Sequence, residues 1–465
     1  MARRLWPPLL LFLVAAASLL NVLRGLDLPV MQPDSTSYLS WSSIRTIGYP
    51  AFLSSVEATV GLADLPRVQA TIFAMALLLL ALALRRALGS VVPALFLLVA
   101  VGFNPEVQKY HALVLSESLS ISLSLIAFAA LAAQRRRDSA ALIVLAALAI
   151  GLAALVRPVL LALFWLPVAV ALLGPFRWRR AAAALAVCAA VVGLGSWANG
   201  RLHRDAVPNE ALALHLIGKV APLITPAIPA AGHAGLAEAL AKPADELQRI
   251  EGKLGSWDLV YLARAPYYDY ARFGLIPDWA AGLPSPRLAP AIEQALALDA
   301  IARRPLAYLA DVALNFYALW SLPDLMTSAG TEEAATLSGA LNAAFKLRVD
   351  AAARPRHIVW GIKAALALCF LTGLWFTVAV LRRPGAADAA ERLGALAFLA
   401  TVALFLATAL LQAGLPRYAL AAWPFEMIVL AAGGARLSRR LQPVALAPLR
   451  KDEHDPERVL PVARS

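Results

Sequence analysis

The chain alternates between long apolar runs and short polar clusters, most of them basic. A bilayer core of about 30 Å takes about 20 helical residues to cross. Runs of that order lie near 6–23, 67–84, 90–103, 112–133, 139–156, 159–174, 181–197, 358–381, 392–413 and 417–434. The pattern predicts an all-α integral membrane protein of about ten transmembrane helices. The third run is short, and only Arg157 and Pro158 separate the fifth from the sixth, so a hairpin or re-entrant pair is an open reading there.

Arginine clusters test the count, because cytoplasmic loops are enriched in Lys and Arg. Arg3/Arg4, Arg85/Arg86, Arg135/Arg136/Arg137, Arg177/Arg179/Arg180, Arg382/Arg383 and Arg436/Arg439/Arg440 all fall on one side if there are ten spans and both termini are cytoplasmic. A competing reading of the first run is a secretory signal with a small-residue cleavage site at Ala15-Ala16-Ala17. Cleavage would leave the sidedness of the remaining spans unchanged.

This topology divides the chain into an N-terminal transmembrane module, 1–197, whose first outer loop is 25–66; an outer helical insert, 198–357; C-terminal transmembrane helices, 358–440; and a polar cytoplasmic tail, 441–465, expected to be disordered. Within the insert, 301–323 has an amphipathic pattern with Pro305, Tyr308, Tyr317 and Trp320, and is expected to lie along the membrane interface. No repeat period, heptad series or low-complexity segment is present.

Composition agrees. Sixty per cent of the residues are hydrophobic, 15% are charged and mean hydropathy is +0.69, against about 45–50% apolar and about 25% charged in soluble globules. The net charge of +12 would ordinarily raise nucleic acid as a partner, but the cations sit where orientation signals fall, so no nucleic acid is expected. Cys188 and Cys369 both lie inside apolar runs and indicate neither a disulfide framework nor a Cys-based metal site.

Ionisable groups near membrane depth are costly and call for a functional hypothesis. On the outer side they are Asp34, Arg45, Lys109, His111, Glu117, Arg157 and Arg417, drawn from distant segments to one face. Asp34 is either a general base for an attacking hydroxyl or an N-cap of the Ser/Thr-rich segment after it. Arg45, Arg157 and Arg417 are either phosphate clamps or headgroup anchors. Gly48 and Pro50 are expected to shape a turn and start a helix. Glu117 is a partner for Lys109 or Arg157, an acceptor for a sugar hydroxyl, or, with His111, half of a divalent-cation site. The histidines His203, His215, His233 and His357 show no ligand spacing, and no Gly-rich phosphate loop, serine nucleophile elbow or paired-Cys zinc pattern is present.

An acid in the first outer loop, Arg-Thr-Ile-Gly-Tyr-Pro at 45–50, Ser116-Glu117 opening a span, Arg157-Pro158 after another, and Arg417-Tyr418 with Pro424 near the last follow one another in an order that resembles the bacterial GT-C glycosyltransferases. These are multi-spanning relatives of protein mannosyltransferases and of the lipid A aminoarabinose transferase. The resemblance implies transfer of a sugar, usually with inversion, from a polyprenyl-phosphate donor to a lipid, glycan or protein acceptor at the outer face of the bacterial cytoplasmic (inner) membrane. It maps the catalytic acid onto Asp34 and makes Arg45, Tyr49, Lys109, His111, Glu117, Arg157, Arg417 and Tyr418 candidates for binding substrate. Relatives with an Asp-Glu pair have a second acid where this chain has Ser35, which departs from protein mannosylation. No metal ligand is assigned, and a divalent cation is optional under this scheme, since arginines can neutralise a phosphate. The alternatives are a surface-polysaccharide polymerase or ligase and a transporter or lipid flippase. The last would favour charged midplane helices and paired repeats, and neither is found.

Overall fold

The computed structural model describes residues 2–25, 28–137, 139–172, 176–204, 210–225, 235–322, 331–347, 356–412 and 416–441. Among them the regular elements are helical, and an isolated parallel bridge joins Val30 to Leu113. In chain order the helices are α1 (Ala2–Leu23), α2 (Ser35–Leu39), α3 (Gly48–Thr59), α4 (Leu65–Leu88), α5 (Val92–Gly102), α6 (Pro105–Ala112), α7 (Glu117–Arg137), α8 (Ala140–Val156), α9 (Trp165–Leu172) and α10 (Arg177–Leu202). The insert follows with α11 (Glu210–Val220), α12 (Leu236–Glu251), α13 (Trp257–Tyr270), α14 (Ile276–Ala280), α15 (Ala289–Arg303), α16 (Pro305–Ser321) and α17 (Thr331–Phe345). The chain then runs through α18 (Arg356–Arg382), α19 (Ala389–Leu411), α20 (Pro416–Ala419) and α21 (Trp423–Leu441).

Among the described residues six segments, Trp6–Leu23, Leu62–Leu88, Glu117–Gln134, Arg177–Leu202, His357–Arg382 and Ala389–Leu411, are long and apolar enough to cross a membrane. The chain is an all-α, multi-pass membrane protein. The other predicted runs are shorter: Val92–Gly102, Ala140–Val156 and Pro158–Leu172 are apolar helices below spanning length, and the tenth run is a continuous helix only from Trp423.

Prolines account for these breaks. Pro158 lacks an N–H and pushes the residue before it out of the helical region. Arg157 is extended (φ −149°, ψ 107°), α8 stops at Val156, and a 3-10 segment, Pro158–Leu163, leads into α9. Pro105 opens α6 with Asn104 as its cap, accepting from the Glu106 amide at 2.9 Å. Pro424 stands in the first turn of α21, leaving Arg417 and Tyr418 on the separate turn α20 rather than at the start of the last long helix.

The amphipathic stretch 301–323 is not one continuous helix. Pro305 breaks it at Arg304, and α16 turns Asp311 and Asn315 into the insert while Leu306 and Leu309 stay exposed. The Tyr308 hydroxyl donates to the Leu410 carbonyl at 2.6 Å, tying α16 to α19. Pro323 and the tail 442–465 lie outside the described residues.

Beside two small clusters, one of α8, α9 and α10 and one of α1 and α4, two large apolar cores form among the described residues. One joins α1, α4, α5, α7, α8, α18, α19 and α21; the other lies within the insert between Leu216 and Phe345. Close helix approach in the first core uses glycine: a Cβ on Gly373 or Gly394 would stand 2.3 Å from the Phe398 or Phe376 ring. The insert core is pinned by two buried charges, Lys219 and Asp311, and two partly exposed ones, Arg264 and Glu251. Lys219 meets Asp311 at 2.5 Å, and Arg264 bridges Asp311 at 2.6 Å and Glu251 at 2.6 Å, with Tyr268 and Asn315 donating to Asp311. Two cations balance two anions, so the desolvated group carries no net charge.

Candidate active site

The Val30–Leu113 bridge lays the first loop against the segment that opens α7. Ser35 accepts from the Gln32 amide and donates to the Val114 carbonyl, and the Tyr38 hydroxyl meets Ser116 Oγ at 3.2 Å. Asp34 occupies the N-cap position of α2, yet its carboxylate makes no capping bond. Instead Arg45 Nη2 donates to Oδ1 at 2.6 Å and Arg417 Nη1 to Oδ2 at 3.0 Å. The N-cap reading fails because two guanidinium groups take both oxygens.

Arg45 is itself braced, donating through Nε to Ser37 Oγ at 2.7 Å with its guanidinium 4.4 Å from the Tyr38 ring centre. Gly48 begins α3 where a Cβ would lie 2.6 Å from the Leu155 backbone, so only glycine lets this loop close onto the end of α8. That closure sets the loop against the end of α8, and Arg45 and Arg157 line the same cavity. Arg157 Nη1 lies 3.0 Å from Glu117 Oε1 with both side chains buried, and the Tyr418 ring carries Arg157 on it at 4.7 Å and Arg417 at 5.2 Å.

These groups surround one cavity of about 310 Å³, lined by Asp34, Arg45, Glu117, Arg157, Arg417 and Tyr418 among others. Burial pushes the Asp34 carboxyl up, but the charges and hydrogen bonds of Arg417 and Arg45 outweigh it and hold the group below the usual carboxylate range. Arg417 Nε is buried without a hydrogen-bond acceptor, and Arg157 Nη1 has the Glu117 carboxylate beside it. A polyanion of several oxygens suits such donors.

Three predicted residues are elsewhere. Lys109 pairs with Glu106 one turn back and is 48% exposed, because both stand on the solvated face of the short α6. His111 is fully buried, bonded through Nδ1 to Ser118 Oγ at 2.7 Å and set against Phe73. Tyr49 donates to Gln69 Oε1 at 3.2 Å and packs edge-on to Tyr38, supporting the loop from behind. His111 thus has Ser118 as its partner and Glu117 has Arg157, and among the described residues no group of three or more His, Cys, Asp or Glu is arranged to hold a metal.

The insert contributes two residues that spacing did not single out. His215 of α11 lines the cavity, and Arg272 donates to its Nε2 at 3.4 Å. Arg272 sits on a one-turn π-helix, Ala271–Leu275, a local irregularity frequent at functional sites. Burial lowers its basicity, while Tyr418, Asp269 and Asp34 act the other way. Nothing in the linear sequence marks a π-turn, and His215 shows no ligand spacing.

No family model matches the chain, and no curated protein matches it. Among solved structures it is similar to ArnT from Cupriavidus metallidurans, crystallised bound to undecaprenyl phosphate, with 16% identity, a TM-score of 0.37, and coverage of 92% of this chain and 79% of that one.

Proposed function

We propose that this protein is a membrane glycosyltransferase that moves a sugar from a polyprenyl-phosphate donor to an acceptor hydroxyl, with inversion, on the outer face of the bacterial cytoplasmic membrane. One observation carries the reading. A carboxylate, Asp34, is held between two guanidinium groups in a cavity whose other wall presents Arg157, Glu117 and Tyr418, among apolar helices of a membrane protein.

The chemistry follows from that set. The acceptor oxygen attacks the anomeric carbon, the bond from that carbon to the phosphate oxygen breaks, and the hydroxyl proton passes to Asp34. The leaving polyprenyl phosphate gains negative charge, which Arg45, Arg157 and Arg417 are positioned to stabilise. A single displacement by one carboxylate-assisted hydroxyl inverts the anomeric centre. Asp34 as it stands is a weak base, because both its oxygens are engaged. A phosphate that recruits Arg417 and Arg45 releases the carboxylate and restores its basicity, so the donor binds before the proton is taken. Both termini on the cytoplasmic side, as the arginine clusters imply, give a site on the opposite face. With guanidinium groups supplying the charge, a divalent cation is an addition the scheme does not need.

The test is transfer of labelled sugar from polyprenyl-phosphate donors in membranes containing the protein, with Asp34→Asn alongside, together with the lipid-linked sugar that accumulates when the protein is removed. Transfer that requires Asp34 supports the reading. Full activity of a folded Asp34→Asn variant, or no change in any lipid-linked sugar, rejects it.

A further inference from the structure

We infer that His215 reads the sugar of the donor through one N–H whose place on the ring is set by Arg272, an inference that rests on the polyprenyl-phosphate reading above. His215 lines the cavity that holds Asp34, Arg157 and Arg417. Arginine can only donate, so the 3.4 Å contact from Arg272 Nη2 makes Nε2 the lone-pair nitrogen of the imidazole. The proton of the neutral ring then sits on Nδ1. Burial, reinforced by Arg272, Arg45 and Arg417 and opposed by Asp34, keeps the ring neutral, with its pKa lowered to about 3. The cavity therefore offers guanidinium groups to a phosphate and an uncharged donor to a hydroxyl. A neutral donor costs less to desolvate than a guanidinium does, and without a net charge it adds little to the pull on a bare phosphate.

Two features orient the ring. Lys219, one helical turn beyond His215, is fully buried on Asp311 and fixes the rotation of α11. Gly218 lets the π-turn approach, since a Cβ there would already lie 3.3 Å from Arg272 Cβ. His215 is thus held by the insert core while facing a site built mainly by the transmembrane module.

The experiment measures binding of undecaprenyl phosphate, bare and carrying glucose, mannose or arabinose, to the full chain in nanodiscs. Wild type is expected to bind at least one sugar-bearing form more tightly than the bare carrier. His215→Ala should weaken that form by about 3- to 10-fold, as for one neutral hydrogen bond, and leave bare-carrier affinity unchanged. His215→Asn, which keeps an N–H donor near the Nδ1 position, should restore most of the preference, and His215→Leu replaces His215→Ala if the smaller side chain prevents folding. Equal weakening of both ligands, no change in either, or a wild type with no preference for any sugar overturns the inference. A wild type that binds no bare undecaprenyl phosphate instead overturns the phosphate reading, so the two failures are distinguishable.

Discussion

Replacing Asp34 with asparagine should abolish transfer and, at the same time, tighten binding of the carrier. Asp34 is gripped at 2.6 Å by Arg45 and at 3.0 Å by Arg417, whose side chains are 19% and 31% exposed. An exposed ion pair contributes about 0–1 kcal/mol, and a hydrogen bond to a charged group in a protein about 1.5–3 kcal/mol. With solvent screening taken into account, about 1 kcal/mol per contact is reasonable for these half-buried pairs. A phosphate must displace those contacts to use the same guanidinium groups. Asparagine would release both, roughly 2 kcal/mol, which corresponds to a gain in affinity of about 10- to 30-fold. Calorimetric titration of undecaprenyl phosphate into wild type and variant in nanodiscs, at low salt and at high salt, measures this directly. The gain should shrink at high salt, because partly exposed charges are screened. Unchanged or weaker binding by a folded Asp34→Asn protein would refute the competition between Asp34 and phosphate.

Other outcomes test the remaining structure. Glu117→Ala should lower stability by about 3–5 kcal/mol, because it strands the buried Arg157 charge, and Glu117→Leu combined with Arg157→Met should cost less than either single change; thermal melting in detergent reads both. Lys109→Ala should shift stability by less than about 0.5 kcal/mol and leave carrier affinity unchanged, since Lys109 pairs with Glu106 away from the cavity. Glu293 is raised from 4.5 to about 7 by burial and by the charge of Glu210. Its folded-state pKa thus exceeds the unfolded value, so stability falls as pH rises from 4.5 to about 7 and levels off above. Glu293→Gln should accordingly raise the melting temperature at pH about 8 relative to wild type and do much less at pH about 5; an equal effect at both values would refute the assignment.

Much of the architecture was legible because membrane helices advertise themselves by length and apolarity, and all ten apolar runs contain helix. The break at Arg157-Pro158 fell where the sequence put it, but the start of the last span was less legible, since the run read from 417 is a continuous helix only from Trp423. Asp34, Arg45, Glu117, Arg157 and Arg417 could be singled out because charge beside apolar sequence is costly and therefore conspicuous, and Tyr418 came in only as the neighbour of Arg417 in the resemblance. Lys109 and His111 carried the same signal, but one found a local carboxylate and the other a serine hydroxyl within a turn or two. His215 and Arg272 were hidden for the opposite reason: the insert is polar enough that one more histidine or arginine there raises no question until α11 and the π-turn are seen to meet.

The contact between Asp34 and Arg417 joins residues 383 positions apart. A chain that emerges from its N-terminus reaches Arg417 only after nearly every helix has been made. Until then Asp34 has Arg45 as its one guanidinium partner among the described residues, and the cavity lacks Tyr418 as well. Assembly of the site is therefore a late event in the protein's synthesis, and a chain ending before α20 would leave a membrane-inserted bundle without the arginine and the aromatic ring that complete it.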